Sequence, residues 1–191
     1  MKKIGLFAIP LFLFVGGVAF LLKGLYSDPK ELNSSVVGNP IPDFKLPDLY
    51  DSTVIHTPDI FDGKVTLLNV WGVWCITCAV ELPFLTDLVD VEGVRIIGLY
   101  YDQDLDPEFG TRTIAGVQKE AYEMLNRFGD PYKFHILDIK RDLSLDLGVT
   151  GAPEHFLIDK KGVVRWHHIG DVNEDVWISK LKPAIAILEA E

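Results

Sequence analysis

"NVWGVWCITCAVELPFL", Asn69 to Leu85, holds both cysteines of the 191-residue chain. Its reading decides the fold. The run leading into it, "KVTLLNVWG" (Lys64 to Gly72), is continuously apolar with β-branched residues, the pattern of a strand covered on both faces. From Cys78 to Asp90 apolar residues recur at helical spacing, with Pro83 expected as a kink. The two thiols therefore stand where a buried strand hands over to a helix. Four readings compete: a structural staple, half of a metal site, a reactive redox pair, or chance.

A staple closing so short a loop removes little unfolded-state entropy, because that benefit grows with loop length. A tetrahedral zinc site needs four protein ligands, or three and a water. The chain has no other Cys, and His56, His135, His155, His167 and His168 show no ligand spacing, so no metal is assigned. Coincidence is a poor account of two cysteines at this junction directly after two tryptophans. The redox reading explains the placement. Thiol–disulfide exchange needs a thiolate, and Cys75 at a helix N-terminus meets unpaired N–H groups and the positive dipole end. That dipole is worth ~0.3–1 kcal/mol, less than one pKa unit at about 1.36 kcal/mol per unit. Cys75 is read as nucleophile, and Cys78, one turn further in, as the resolving thiol.

Working outward, "GVRIIGLYY" (Gly93 to Tyr101) is a second buried strand, giving a βαβ unit whose crossover should be right-handed. An acidic loop (Asp102 to Gly110) and a helix from about Thr113 to Phe128 follow, then a third strand, "YKFHIL" (Tyr132 to Leu137). "EHFLID" and "VVRWHHIG" around "KKG" make a β-hairpin. A last helix runs from an Asn173 cap to about Glu189. "PDFKLPDL" and "TVIHTPDI", interrupted by prolines, read as short edge strands. The sketch is α/β: a mixed central sheet with helices on both faces.

The N-terminus reads separately. Lys2 and Lys3 precede Ile4 to Leu22, nineteen residues without a charge, which at ~1.5 Å each span roughly the ~30 Å of a bilayer core. The positive-inside bias leaves residues 1–3 cytoplasmic, 4–22 as a transmembrane signal-anchor, 23–37 as a tether and 38–191 as the exported domain. A cleaved signal is the rival, with Gly17 and Ala19 as small residues for a peptidase; both readings export the domain. In an oxidising compartment a CxxC is a disulfide or is kept reduced on purpose. The formal charge of -10 excludes a phosphate-binding protein of nucleic acid type.

"WCITC" after an apolar strand resembles the thioredoxin-fold active site, and Gly148 to Pro183, "GVTGAPEHFLIDKKGVVRWHHIGDVNEDVWISKLKP", is similar to one branch of that family. That branch is the membrane-anchored thiol:disulfide interchange proteins of cytochrome c maturation (CcmG/DsbE type, related to TlpA-like membrane-anchored thioredoxins). The resemblance covers about Gly38 to Pro183 and implies a thioredoxin-like fold with a one-span anchor. It implies a redox-active Cys75–Cys78 disulfide, a cis-Pro153 facing it, and groove acids mapping onto Glu81 and Glu154. Trp74 is read as either substrate contact or packing, and Glu81 and Glu154 each have a bland alternative, a solvated helix residue and a strand-edge carboxylate. Trp71, His167, His168 and Tyr132 read as structural. Thioredoxins carry a buried Asp six residues before the first Cys; here Asn69 stands there and cannot titrate. The stretch Asp102 to Tyr132 looks longer than the family's.

The implied function is a disulfide reductase of the bacterial inner membrane, single-pass, with its catalytic domain in the periplasm. It would reduce the CxxCH disulfide of an apocytochrome c or a haem-ligation thiol protein, with a transmembrane electron donor of the DsbD/CcdA type and no cofactor. Carboxylates beside Cys75 disfavour its thiolate and so favour electron donation. The rivals are a general exported reductase or isomerase, and a non-catalytic metal- or peptide-binding module.

Overall fold

The computed structural model describes residues 2–25, 34–105 and 111–191, with side chains from Ile9 in the first segment. It divides into two units, Met1–Leu32 and Asn33–Glu191. The first contains one helix, α1 (Lys2–Leu25), with Pro10 inside it. Among the described residues no helix is long and apolar enough to cross a membrane. Most of the expected tether, and residues 106–110 of the acidic loop, lie outside the described residues.

The second unit is built on a five-stranded sheet. Strands β3 (Thr66–Trp71), β4 (Ile96–Tyr100) and β5 (Tyr132–Leu137) run parallel, and β6 (Glu154–Ile158) and β7 (Val164–Ile169) form the antiparallel hairpin. The order across the sheet is β5-β4-β3-β6-β7. Every residue of β3 and β4 is buried, which is why both read as unbroken apolar runs. The proline-interrupted segments supply only a two-residue pair, β1 (Leu46–Pro47) and β2 (Ile55–His56).

Helix α2 (Ile76–Glu92) crosses from β3 to β4 and continues on both sides of Pro83. It ends at Gly93, whose φ of 73° a side chain would strain. Helix α3 (Ile114–Phe128) is capped by Thr113, whose hydroxyl accepts from Gly116 N. A short helix, α4 (Asp142–Asp146), follows β5. The expected last helix is three joined pieces: α5 (Glu174–Val176) capped by Asn173, a π turn (Trp177–Leu181), and α6 (Lys182–Ala190).

Alternation along the strands divides the core. Leu67, Trp71 and Leu157 face α2, joining Cys78, Leu82 and Leu85 in one cluster. Leu68, Val70, Phe156 and Ile158 face the other way into a second cluster. On the first face Trp71 stacks on Tyr132 and meets Tyr100 edge-on, each ring 5.2 Å away. A Cβ at Gly98 would lie 2.7 Å from the Trp71 indole nitrogen, so only glycine lets β4 pass beneath that ring.

Candidate active site

The apolar strand β3 ends at Trp71, and after four intervening residues α2 begins at Ile76. Cys75 is its N-cap, in extended conformation (φ -95°, ψ 104°), and its Sγ accepts from Cys78 N at 3.0 Å. A sulfur with a free backbone N–H aimed at it, at the positive end of a 17-residue helix, is stabilised as an anion whenever the bond to its partner is broken. Cys75 and Cys78 are joined by a disulfide. Cys75 is 5% exposed and Cys78 0%, so an incoming sulfur meets Cys75 first.

The loop entering β6 lies against this pair. The Ala152 carbonyl oxygen is 3.4 Å from Cys75 Sγ, and the Ala152–Pro153 peptide bond is cis. Pro153 O accepts from Gly170 N at 2.9 Å, tying the loop to the end of β7. Trp74 stands half-exposed beside the pair. Its indole donates to Tyr101 O at 3.0 Å and its ring meets Tyr101 edge-on at 5.4 Å.

The two acids occupy different faces of the sheet. Glu81 is buried on the α2 face, one turn beyond Cys78. Its Oε1 accepts from Asn69 Nδ2 at 3.1 Å and its Oε2 from Val172 N at 3.1 Å. Burial pushes its pKa from 4.5 up to about 8, with Asp171 adding to the rise and the two hydrogen bonds opposing it. It is therefore mostly protonated at neutral pH.

Glu154 is fully buried on the opposite face, opposite Val70 in the β3–β6 register. Its Oε1 accepts from Thr150 N (2.7 Å), Thr150 Oγ1 (2.6 Å) and Gly151 N (2.9 Å), while Oε2 meets His167 Nε2 at 2.8 Å. Burial raises its pKa, but the His167 and Thr150 hydrogen bonds outweigh it and hold the carboxyl below the ordinary range. Glu154 thus clamps the loop that carries Ala152 and Pro153, and its carboxylate is spent on that loop.

Sequence reasoning named Asn69, His155 and Tyr132 separately but missed that they join Glu81 in one buried cluster. Asn69 and His155 are directly paired in the β3–β6 register and share the α2 face. Asn69 Nδ2 lies 2.8 Å from His155 Nε2, and Tyr132 Oη donates to Asn69 Oδ1 at 2.6 Å. His155 Nε2 is 3.4 Å from Glu81 Oε2. Only the register places His155 there, and register is invisible in "GAPEH". No group of three or more His, Cys, Asp or Glu able to hold a metal occurs among the described residues.

A redox disulfide capping a helix, a proline loop across it and a buried acid behind it define a thiol:disulfide oxidoreductase of thioredoxin-like fold. Comparison with known proteins agrees and is more specific. Residues 36–185 match the Redoxin family. The chain is 39% identical to the thiol:disulfide interchange protein DsbE of Vibrio cholerae over all of this chain and 97% of that one. It is 40% identical to that of Pseudomonas aeruginosa (96% and 93%) and 38% to that of Escherichia coli (92% and 90%). Among solved structures, a thio-disulfide isomerase from Thermus thermophilus superposes with a TM-score of 0.55 at 23% identity (78% of this chain, 96% of that one). Mycobacterium tuberculosis DsbF gives 0.56 at 21% (76% and 94%); both speak to the fold. The chain belongs to the Redoxin family, and within it to the DsbE thiol:disulfide interchange proteins.

Proposed function

We propose that this oxidoreductase works as a membrane-anchored reductant of disulfides in cytochrome c maturation, the CxxCH pair of an apocytochrome c or a haem-ligation thiol protein being its substrate. Cys75 thiolate attacks one substrate sulfur, forming a mixed disulfide and releasing the other substrate sulfur as a thiolate. Cys78 then gives up its proton and attacks Cys75 Sγ. The Cys75–Cys78 bond forms, the bond to substrate breaks, and the second substrate thiolate leaves. Two electrons pass to the substrate, and its two sulfurs take up the protons lost by the protein.

Glu81, in its ionised form, is the acceptor for the Cys78 proton. It lies three residues on along the same inward face of α2, and a carboxyl near pKa 8 is closely matched to an ordinary thiol near 8.5. Recharging reverses the sequence: a donor dithiol attacks Cys75, and Cys78 leaves as a thiolate that recovers its proton from Glu81. The donor must itself draw electrons across the membrane, as DsbD/CcdA-type proteins would. Pro153 and its loop form the edge on which a substrate strand lies, positioned by Glu154 from behind, and Trp74 walls the groove. The helix dipole alone shifts Cys75 by less than one pKa unit, short of the strongly stabilised thiolate that makes an oxidant.

The segment Ile4–Leu22 anchors the chain, with residues 1–3 cytoplasmic, 23–37 as tether and 38–191 as the periplasmic domain; its uncharged length and the flanking lysines support this. The observation that carries the reading is the asymmetric pair, Cys75 capping α2 at its N-terminus and Cys78 fully buried one turn before the buried Glu81. A Cys78→Ser chain expressed in cells cannot resolve its mixed disulfide, so what it captures is its substrate. Capture of apocytochrome c or its ligation partner supports the proposal. A broad spread of unrelated exported proteins would point to a general reductase or isomerase instead.

A further inference from the structure

Glu81 does not sit alone behind Cys78. Its Oε2 and Asn69 converge on His155, a fully buried histidine that the exchange chemistry has so far left unused, and Tyr132 holds Asn69 from the other side. The hydrogen positions in this cluster are fixed by working inward from Tyr132. Burial, with Glu81 and Asp130 adding to it, raises the Tyr132 pKa well above 10, so the phenol keeps its proton and donates to Asn69 Oδ1. With its oxygen committed to Tyr132, Asn69 turns its NH2 towards Glu81 Oε1 and His155 Nε2. Nε2 must then accept, and the imidazole proton belongs on Nδ1. Nδ1 makes no full hydrogen bond, and the Gly170 backbone beside the ring favours protonation of the imidazole.

We propose that Tyr132 and Asn69 hold His155 as the Nδ1–H tautomer, so that Nε2, which accepts from Asn69, also turns its lone-pair side to Glu81 Oε2 at 3.4 Å and favours the carboxylic acid that Glu81 becomes on taking the proton of Cys78. This deepens the proposed role of Glu81 and rests on it. A carboxylate at that place would set its negative charge against the electron-rich Nε2, a repulsion that the neutral carboxylic acid avoids, so the arrangement favours the acid. His155 is a positioning residue: it binds neither substrate nor sulfur and does not carry the proton away. Burial first, then the nearby His168 and His167, lower its pKa to about 3, which keeps the ring neutral. The other titratable groups facing the cluster are Asp171, which raises the Glu81 pKa, and Asp130 and His135 beside Tyr132. The structure, holding the disulfide, corresponds to the end of the resolving step, when Glu81 carries the proton.

The test is nitrogen NMR on the detergent-solubilised full chain labelled with 15N-histidine, in the disulfide form, with His155→Gln identifying the resonances. The expected result is a neutral His155 with its proton on Nδ1. Its Nε2 signal moves with a midpoint near pH 8, the value to which burial raises Glu81, and that movement is lost in Glu81→Gln. In Tyr132→Phe, where Asn69 is free to turn over, the Nε2–H tautomer should become populated. A proton on Nε2 in the wild-type chain, or an Nε2 signal unmoved through pH 8, overturns the proposal. So does a Tyr132→Phe chain with an unchanged tautomer. The pH dependence of Cys78 displacing a small thiol from Cys75 is read in parallel. A midpoint near 8 that Glu81→Gln abolishes leaves the Glu81 reading standing even where the tautomer is wrong.

Discussion

Replacing Glu81 by Gln should change how the stability of the oxidised protein depends on pH, with a sign and a window that follow from two buried groups. Glu81 binds its proton more tightly folded (about 8) than unfolded (4.5). Between those values the native state holds a proton that the unfolded state has lost, so stability falls as pH rises. His155 acts oppositely. Its pKa is about 3 folded and 6.5 unfolded, so between these the unfolded state binds more protons and stability rises with pH. From 4.5 to 6.5 the two slopes cancel, and from 6.5 to 8 Glu81 acts alone. At about 1.36 kcal/mol per unit its contribution over that 1.5-unit window is a loss of ~2 kcal/mol. Gln reproduces the shape of the protonated carboxyl and offers an N–H to His155 Nε2, but it does not titrate. Urea denaturation of the oxidised, detergent-solubilised chain from pH 5 to 9 checks this. The wild type minus the variant should slope downward from pH 5 to 8, His155 and every other shared group cancelling in the difference. A difference that stays flat there would show that Glu81 is an ordinary ionised carboxylate, and the proton-acceptor argument would fail with it.

Other substitutions probe the surroundings. Asn69→Asp would set a second carboxyl about 3 Å from Glu81, and two such groups share one proton; potentiometric titration should show the pair still holding a single proton at neutral pH, released at higher pH than the wild-type midpoint near 8. Glu154→Ala strips the acceptor from Thr150 N, Thr150 Oγ1 and Gly151 N, with an expected loss of ~3–5 kcal/mol in denaturant melts. Substrate reduction should weaken in that variant while the Cys75–Cys78 disulfide still forms, because the sulfurs do not touch Glu154. The Glu154 carboxyl is held below its ordinary range, so its contribution is present above pH 4.5 and fades as pH falls through the depressed value. Gly98→Ala forces a Cβ against the Trp71 indole and the Tyr132 and His135 rings, and should cost ~1–3 kcal/mol of stability through overpacking.

The sequence disclosed those features whose physics is local. Buried strands β3 and β4 read as apolar runs, β5 has the bounds that "YKFHIL" suggests, and "KKG" marks the turn of the hairpin. Helix α2 and its position after the strand follow from periodicity, although Pro83 does not interrupt it. What stayed hidden depends on register and face. Glu81 and Glu154 look equivalent as acids near the cysteines, yet α2 carries one to the first face of the sheet while strand alternation turns the other to the second. Glu81, neutral at pH 7, exerts no charge repulsion on Cys75, so the expected electrostatic tilt towards donation rests instead on the weak dipole and on the matched acid beside Cys78. His155 and Tyr132 become partners of Asn69 only through pairings across 86 and 63 residues of sequence. The short α4 and the π turn in the last helix are likewise too brief to announce themselves in composition.

The account depends on one reversible bond. Equilibrating the purified chain with reduced and oxidised glutathione, quenching with acid and counting alkylated thiols by mass, tests it directly. The expected result is a single two-electron transition in which Cys75 and Cys78 open and close together, approached equally from either side, and absent in Cys75→Ser. A pair that stays shut or stays open across the whole range of buffers would contradict it.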